Sequence, residues 1–377
     1  MYRDFQKIVS AEMPPNFTTA ALGVVVAVGA GLLYRGDAFW CEARGIPLGT
    51  FWRDSAFSLA QLPDMNSRTV LVTGANSGLG FEVAKRCALA NASVVLGCRN
   101  MSSCEQAART IQTLLPRPHD ERQFIRAVRV NLDDLQQVEE TSAELMSTLE
   151  SLDVLVNNAG VATQFPLTLT KDAIESTFQS NYVGHFALTR HLLPLLLRSS
   201  RHGRRSRVVS LTSGAHRGAP PEGVPLSLDQ INHAAMGAYA RYGMAKLANL
   251  LFARELGRRH PSILSNAVHP GVVATEMLRV GNFEAMLGKP FGALAWSFAQ
   301  LRNLLFAYSP ETAARSVLFL IGSDEVEAQS LTGRLVVPIA KLWPPRHPKA
   351  FEDDAGAALW DWTEGLIKKQ QLQSKLN

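Results

Sequence analysis

The chain has 377 residues, 46% of them hydrophobic and 19% charged, with a formal net charge of +5. That length and apolar content can bury one large core and exclude a chain disordered throughout. The basic residues are dispersed except for RSSRHGRRSR at 198–207, read as a solvated loop, so no nucleic-acid partner is expected.

In chain order, residues 1–16 form a polar tail and 17–34, FTTAALGVVVAVGAGLLY, an uncharged apolar run. As a helix this run covers roughly 27 Å, close to a hydrocarbon core, and is read as a membrane anchor. A cleaved signal is the rival, but no small-x-small cleavage site follows. Arg3 and Lys7 precede the run while Arg35, Arg44 and Arg53 follow it, a bias that leans toward a cytosolic C-terminal domain. Residues 35–66, with Trp40 and Trp52, read as a juxtamembrane connector, and 67–377 as the main domain. Cys41, Cys87, Cys98 and Cys104 show no zinc-like spacing, so no metal is expected, and they fit the thiols of a reducing compartment.

From Thr69 on, short β-branched runs alternate with segments of helical period, the pattern of an α/β, doubly wound (Rossmann) parallel sheet with helices on both faces. Seven strands are expected: 69–73, 93–97, 126–130, 153–157, 207–212, 263–268 and 333–337. The first runs into TGANSGLG and then a helix, so Gly74, Asn76, Ser77, Gly78, Leu79 and Gly80 form a turn whose free amides and helix dipole favour a pyrophosphate. The second ends in GCRN. Arg99 there suits the 2′-phosphate of NADP(H), with no acidic residue at the strand end to repel it.

Further motifs follow in order: NNAG with Asn158, Ala159 and Gly160; SNYVGHF with Asn181; LTSGAH with Ser213; YGMAK with Tyr242 and Lys246; and HPGVVATEM with Pro270, Gly271, Val273 and Thr275. With these the chain resembles the short-chain dehydrogenase/reductase family over roughly residues 67 to 370. The long stretch between Ser213 and Tyr242 and the closing AALWDWTEGL resemble its retinol dehydrogenase-like branch. Tyr242 and Lys246, four apart, share one helix face, whereas Tyr239 lacks such a partner and reads as packing or a pocket wall.

A phenol is a poor base at neutral pH, and a nearby ammonium favours its ionised form. Tyr242 is expected to exchange a proton with the substrate oxygen, Ser213 to hydrogen-bond the same oxygen, and Lys246 to supply the field. The resemblance adds Asn181 as organiser of the lysine and of a proton-relay water, Lys246 as a ligand of the nicotinamide ribose, and the 270–275 segment to the cofactor site. Relatives carry Asp-Leu after the third strand, whereas NLDDL puts Asn131 and Leu132 at that point; the amide oxygen can still accept from adenine.

Residues 278–308, rich in aromatic and aliphatic side chains, are where relatives place a substrate lid. With the anchor, this leads to a lipophilic alcohol and its aldehyde or ketone, of retinoid, steroid or polyisoprenoid class. The expected membrane is the endoplasmic reticulum with the domain facing the cytosol, or alternatively a lipid droplet or another organelle. A glycan on the Asn100 sequon would crowd the cofactor, which agrees with a cytosolic domain. A homo-oligomer is left open, and a non-catalytic NADP-binding scaffold or sensor is the alternative function.

Overall fold

The computed structural model describes residues 57–116, 122–162, 165–200, 204–273 and 307–376, with side chains to 372, and the isolated positions Lys289, Trp296 and Ser297. The chain divides into two compact units, Met1–Phe51 with Leu278–Ala307 and Trp52–Met277 with Tyr308–Asn377. Nearly all described residues belong to the second. The anchor expected at 17–34, Thr275, and the lid expected over 278–308 apart from five positions lie outside the described residues. Among the described residues no helix is long and apolar enough to cross a membrane.

The strands are β1 (Thr69–Thr73), β2 (Ser93–Cys98), β3 (Ile125–Arg129), β4 (Val154–Asn157), β5 (Ser206–Leu211), β6 (Ile263–Val268), β7 (Leu335–Val337) and β8 (Lys341–Trp343). They form one sheet in the order β3-β2-β1-β4-β5-β6-β7-β8, parallel except for the antiparallel β7–β8 pair. The expectation of seven strands is therefore corrected to eight. β8 is a three-residue edge strand, KLW, too short to carry a periodic signal and with its middle residue, Leu342, exposed.

The helices are α1 (Gly78–Leu89), α2 (Met101–Leu114), α3 (Leu135–Thr148), α4, α5 (Leu228–Ile231), α6 (Ala238–Arg259), α7 (Pro310–Gly322), α8 (Asp324–Ala328) and α9 (Asp353–Leu376). Here α4 is composite: Ser176–Phe178, a π-helical turn over Gln179–Val183, then Gly184–Ser199. Polar side chains start several of them, Asn100 accepting from the Ser103 amide at 3.1 Å ahead of α2 and Asp134 from the Gln137 amide at 2.9 Å ahead of α3.

Alternate strand residues feed two cores. Val70, Val72, Val94 and Leu96 pack with α1, α2 and α7, whereas Leu71, Val95, Leu155 and Val208 pack with α3, α4, α6 and α9. On the second face the Trp360 ring stacks on Phe252 at 5.8 Å and meets Phe186 edge-on at 4.8 Å, so α9 is held to α4 and α6 by aromatic packing. The last part of the expected connector belongs to the fold. Phe57 and Met65 are buried in the first core, the Phe57 ring 5.8 Å from Phe319 and the Met65 amide donating to Ala90 O at 2.6 Å.

Cys98 and Cys104 form a disulfide, which corrects the reading of all the cysteines as thiols. The end of β2 and the first turn of α2 bring their Cα atoms to 5.8 Å, within bridging range. Cys87 remains a thiol, buried on the core-facing side of α1, and burial pushes it up to about 12.

The strand order reverses between β1 and β4, whose registers align Val70 with Val154 and Val72 with Val156. The C-terminal ends of β1, β4, β5 and β6 therefore open on one edge of the sheet, where a parallel sheet of this kind leaves a crevice.

Candidate active site

The turn after β1 is built for close approach. Gly74 and Gly78 take φ of +64° and +56°, values that favour glycine. A Cβ at Gly80 would fall on the Gly74 carbonyl oxygen and the Asn158 side-chain amide. The backbone thus turns tightly into the N-terminus of the 12-residue α1, with Ser77 at its cap position making no side-chain cap bond. A glycine cradle that leaves no room for side chains, opening on helix amides, fits a dinucleotide pyrophosphate.

β4 locks to this turn through Thr73. Its hydroxyl accepts from the amides of Asn158 and Ala159, both at 2.9 Å, and the Asn158 side chain donates to Thr73 O at 2.8 Å. Behind it lies His185, a residue the sequence reading did not single out. His185 Nδ1 is 3.1 Å from the Asn181 carbonyl, which can only accept, so Nδ1 carries the proton and Nε2 accepts from the Thr73 hydroxyl at 2.9 Å. Burial lowers the imidazole to about 4, the Asn181 bond opposing and the charge of Lys246 reinforcing the shift.

This makes a prediction for stability. The unfolded histidine takes up a proton near pH 6.5 and the folded one only near 4, so the unfolded chain binds more protons in between. Stability contributed by neutral His185 is fully present above pH 6.5 and is lost as pH falls through 4, about 3 kcal/mol in all. Urea unfolding at pH 7 and pH 5 is expected to show a smaller drop for His185→Gln than for the wild type. An equal drop in both would refute it.

Asn181 sits in the π-helical turn, fully buried, its side chain accepting from Val161 N at 2.8 Å and donating to Val161 O at 3.0 Å. A Cβ on Gly160 would meet Asn181 Oδ1 closely and lie 3.6 Å from Lys246 Nζ. Asn181 and Lys246 therefore converge beside the end of β4.

Lys246 is buried and donates to the Leu211 carbonyl at 3.0 Å, an acceptor shared with Asn249 at 2.9 Å. Its Nζ lies 5.5 Å from the centroid of the Tyr242 ring. Burial brings the ammonium down to about 8. Ser213 caps the 3-10 turn Gly214–Gly218 and accepts from Ala215 N at 3.2 Å, and its influence on the Tyr242 phenol opposes that of burial. Ser213, Tyr242, Lys246 and Asn181 are thus brought together. The expectation that the lysine field dominates Tyr242 is modified: burial raises the phenol and the Ser213 hydrogen bond only partly offsets it. A phenol so placed stays protonated at neutral pH.

His216, also missed, anchors the serine loop. Its Nδ1 donates to Ser213 O at 2.7 Å and its Nε2 accepts from Arg346 N at 3.1 Å. Tyr239 lies with its ring against Gly218 and is 55% exposed, a wall beside the serine loop. After β6, Gly271 takes φ of +82°, and a Cβ there would meet the Tyr308 ring and Pro338. Val273 pairs with Tyr308 in a parallel bridge, so Pro270, Gly271 and Val273 are held on the same edge as the turn.

At the far end Arg99 is two-thirds exposed, but an acidic neighbour does stand beside it. The loop after β3 brings Asp133 Oδ2 to 3.0 Å from Arg99 Nη1. The reading of that end as free of acids is therefore corrected: β3 lies next to β2, and its loop crosses the strand end that Arg99 extends. Asn131 Oδ1 is turned toward the Asp133 amide at 3.4 Å, its own amide donates to Gln137 at 2.6 Å, and Leu132 is buried against Gly184. Asn76 donates to Ser103 Oγ at 3.3 Å, tying the glycine turn to α2. Among the described residues no cluster of His, Cys, Asp or Glu is arranged to hold a metal.

The profile of the short chain dehydrogenase family matches residues 68–225. Retinol dehydrogenase 13 of Mus musculus is 33% identical over 306 residues, 80% of this chain and 84% of its own length. Retinol dehydrogenase 14 of Homo sapiens is 32% identical over 363 residues, covering 91% of this chain and 99% of its own. Among solved structures, an uncharacterized protein from Mycobacterium Paratuberculosis superposes with a TM-score of 0.61 at 29% identity, covering 83% of this chain and 97% of that one.

Proposed function

The chain belongs to the short-chain dehydrogenase/reductase family, in its retinol dehydrogenase-like branch, and from that premise we propose that it is a membrane-tethered, NADP(H)-dependent oxidoreductase of a lipophilic alcohol and its carbonyl partner. The observation that carries the reading is Lys246 Nζ 5.5 Å from the centroid of the Tyr242 ring, with Asn181 converging on the same lysine beside the end of β4. Family and site together make the chemistry an alcohol/carbonyl oxidoreduction.

A bound nicotinamide cofactor supplies the hydride in reduction and accepts it in oxidation. The chain's own residues handle the oxygen and the proton. In reduction, Ser213 Oγ donates to the carbonyl oxygen and holds it beside the phenol; Tyr242 passes its proton to that oxygen as charge develops there. Lys246 stabilises the phenolate left behind, and Asn181 keeps the end of β4 in place beside it. Oxidation runs the same contacts in reverse, with Tyr242 receiving the proton.

Arg99 favours a cofactor with a 2′-phosphate, because a guanidinium can grip it with paired hydrogen bonds. The uncharged run at 17–34 supports a tether to a membrane, with the endoplasmic reticulum and a cytosol-facing domain as the arrangement proposed. The apolar 278–308 segment supports a retinoid, steroid or polyisoprenoid substrate. The test is cofactor consumption by membranes carrying the full chain, supplied in turn with retinal, a ketosteroid and a polyprenal, with NADPH or NADH. Turnover with NADPH on one of these is the expected result. Cofactor binding without turnover on any would instead favour a scaffold or sensor.

A further inference from the structure

Arg99 leaves the end of β2 with most of its side chain in water, and Asp133 of the loop after β3 lies against it at 3.0 Å. Asp133 is itself fixed: its other oxygen accepts from the Ser180 hydroxyl in α4, and its amide is turned toward Asn131 Oδ1. The carboxylate is therefore anchored by the fold, whereas the guanidinium is held chiefly at its tip. Anything that binds Arg99 must do so in the presence of this fixed negative charge.

We propose that Asp133 is the residue that sets cofactor selectivity, a built-in counter-ion that competes with a 2′-phosphate for Arg99 and accepts a hydrogen bond from a 2′-hydroxyl. This rests on the reading of the glycine turn as a dinucleotide site. A 2′-phosphate is dianionic near neutral pH and has to share or displace the carboxylate from the guanidinium. A 2′-hydroxyl carries no charge and can donate to a carboxylate. The pair Arg99–Asp133 thus makes the site tolerant of both cofactors, where Arg99 alone would make it strict for NADP(H). Two charges facing one at about 6 Å across water correspond to an effect of about tenfold in affinity, reduced by salt since the pair is exposed.

The test is titration of the purified full chain in detergent with NADPH and with NADH, following cofactor fluorescence at low ionic strength. Asp133→Asn is expected to raise the ratio of the NADH to the NADPH dissociation constant by about tenfold, mainly by tightening NADPH, and added salt is expected to shrink the gain. Asp133→Ser, which removes the charge with a smaller side chain, is expected to raise the ratio likewise, so a folding defect in one variant does not decide the matter. Arg99→Ala is expected to lower the ratio. If the wild type binds and neither Asp133 variant raises the ratio, the assignment to Asp133 is overturned while the dinucleotide site stands. If the wild type binds neither nucleotide, both fall together.

Discussion

Replacing Tyr242 by Phe is expected to lower the turnover number about 1000-fold and to leave cofactor affinity nearly unchanged. The hydroxyl is the group lost, and it is the one proposed to pass the proton to the substrate oxygen. The ring stays, so the packing of α6 against the serine loop is kept. Gly243, next in the chain, approaches Ala215 and Gly218 so closely that a Cβ would overlap their backbone, which holds this turn of the helix independently of the phenol. Single-turnover rates with bound cofactor separate the chemical step from binding. A variant that keeps more than a tenth of the wild-type rate would remove Tyr242 from the proton path.

The pH dependence of the same reaction carries a sign. Burial raises the Tyr242 phenol, so it remains protonated through neutral pH and can donate. Lys246 is brought down to about 8 by burial, and above that its charge no longer stabilises the phenolate. Reduction is therefore expected to slow as pH rises through about 8.

Most of the sheet, the glycine turn and the Tyr242–Lys246 pair were legible in the sequence because each rests on local chemistry, whereas the expectation for Asn181 came from the family resemblance. TVLVT before TGANSGLG is a strand, a tight turn and a helix start in eleven or so residues, and Tyr242 and Lys246 need only one helical turn to meet. What escaped depends on contacts between distant segments. Asp133 reaches Arg99 only because β3 lies beside β2 in the sheet. His185 links Thr73 to Asn181 only once α4 has packed across the end of β1, and as a lone histidine in an apolar run it carried no signal of its own. The Cys98–Cys104 bridge spans a strand end and a helix start, a geometry that spacing alone does not reveal.

Glu175 gives the largest expected effect on stability. It lies fully buried at the start of α4, its Oε2 accepting from Phe178 N at 2.7 Å and its Oε1 3.3 Å from Arg241 Nε on α6. Arg241 is also buried and donates to the Met236 carbonyl, so it pins the beginning of the helix that carries Tyr242 in the very next position. Taking away the carboxylate removes one partner of the buried guanidinium, and it also removes the cap of the Ser176–Phe178 turn. Losing one partner of a buried ion pair costs about 3–5 kcal/mol, because the remaining charge keeps its desolvation penalty. Glu175→Ala is therefore expected to lower the unfolding free energy by that amount in urea titrations. Arg241→Met with Glu175→Leu removes both charges and fills the space with apolar side chains, so it is expected to recover most of the loss. If the double variant is as unstable as the single one, the cost comes from lost packing and capping at α4 rather than from the broken ion pair. Kinetics on the double variant then read the second role of the pair: a stable protein with a reduced turnover number and unchanged cofactor affinity would show that Arg241 and Glu175 hold Tyr242 in register with Ser213.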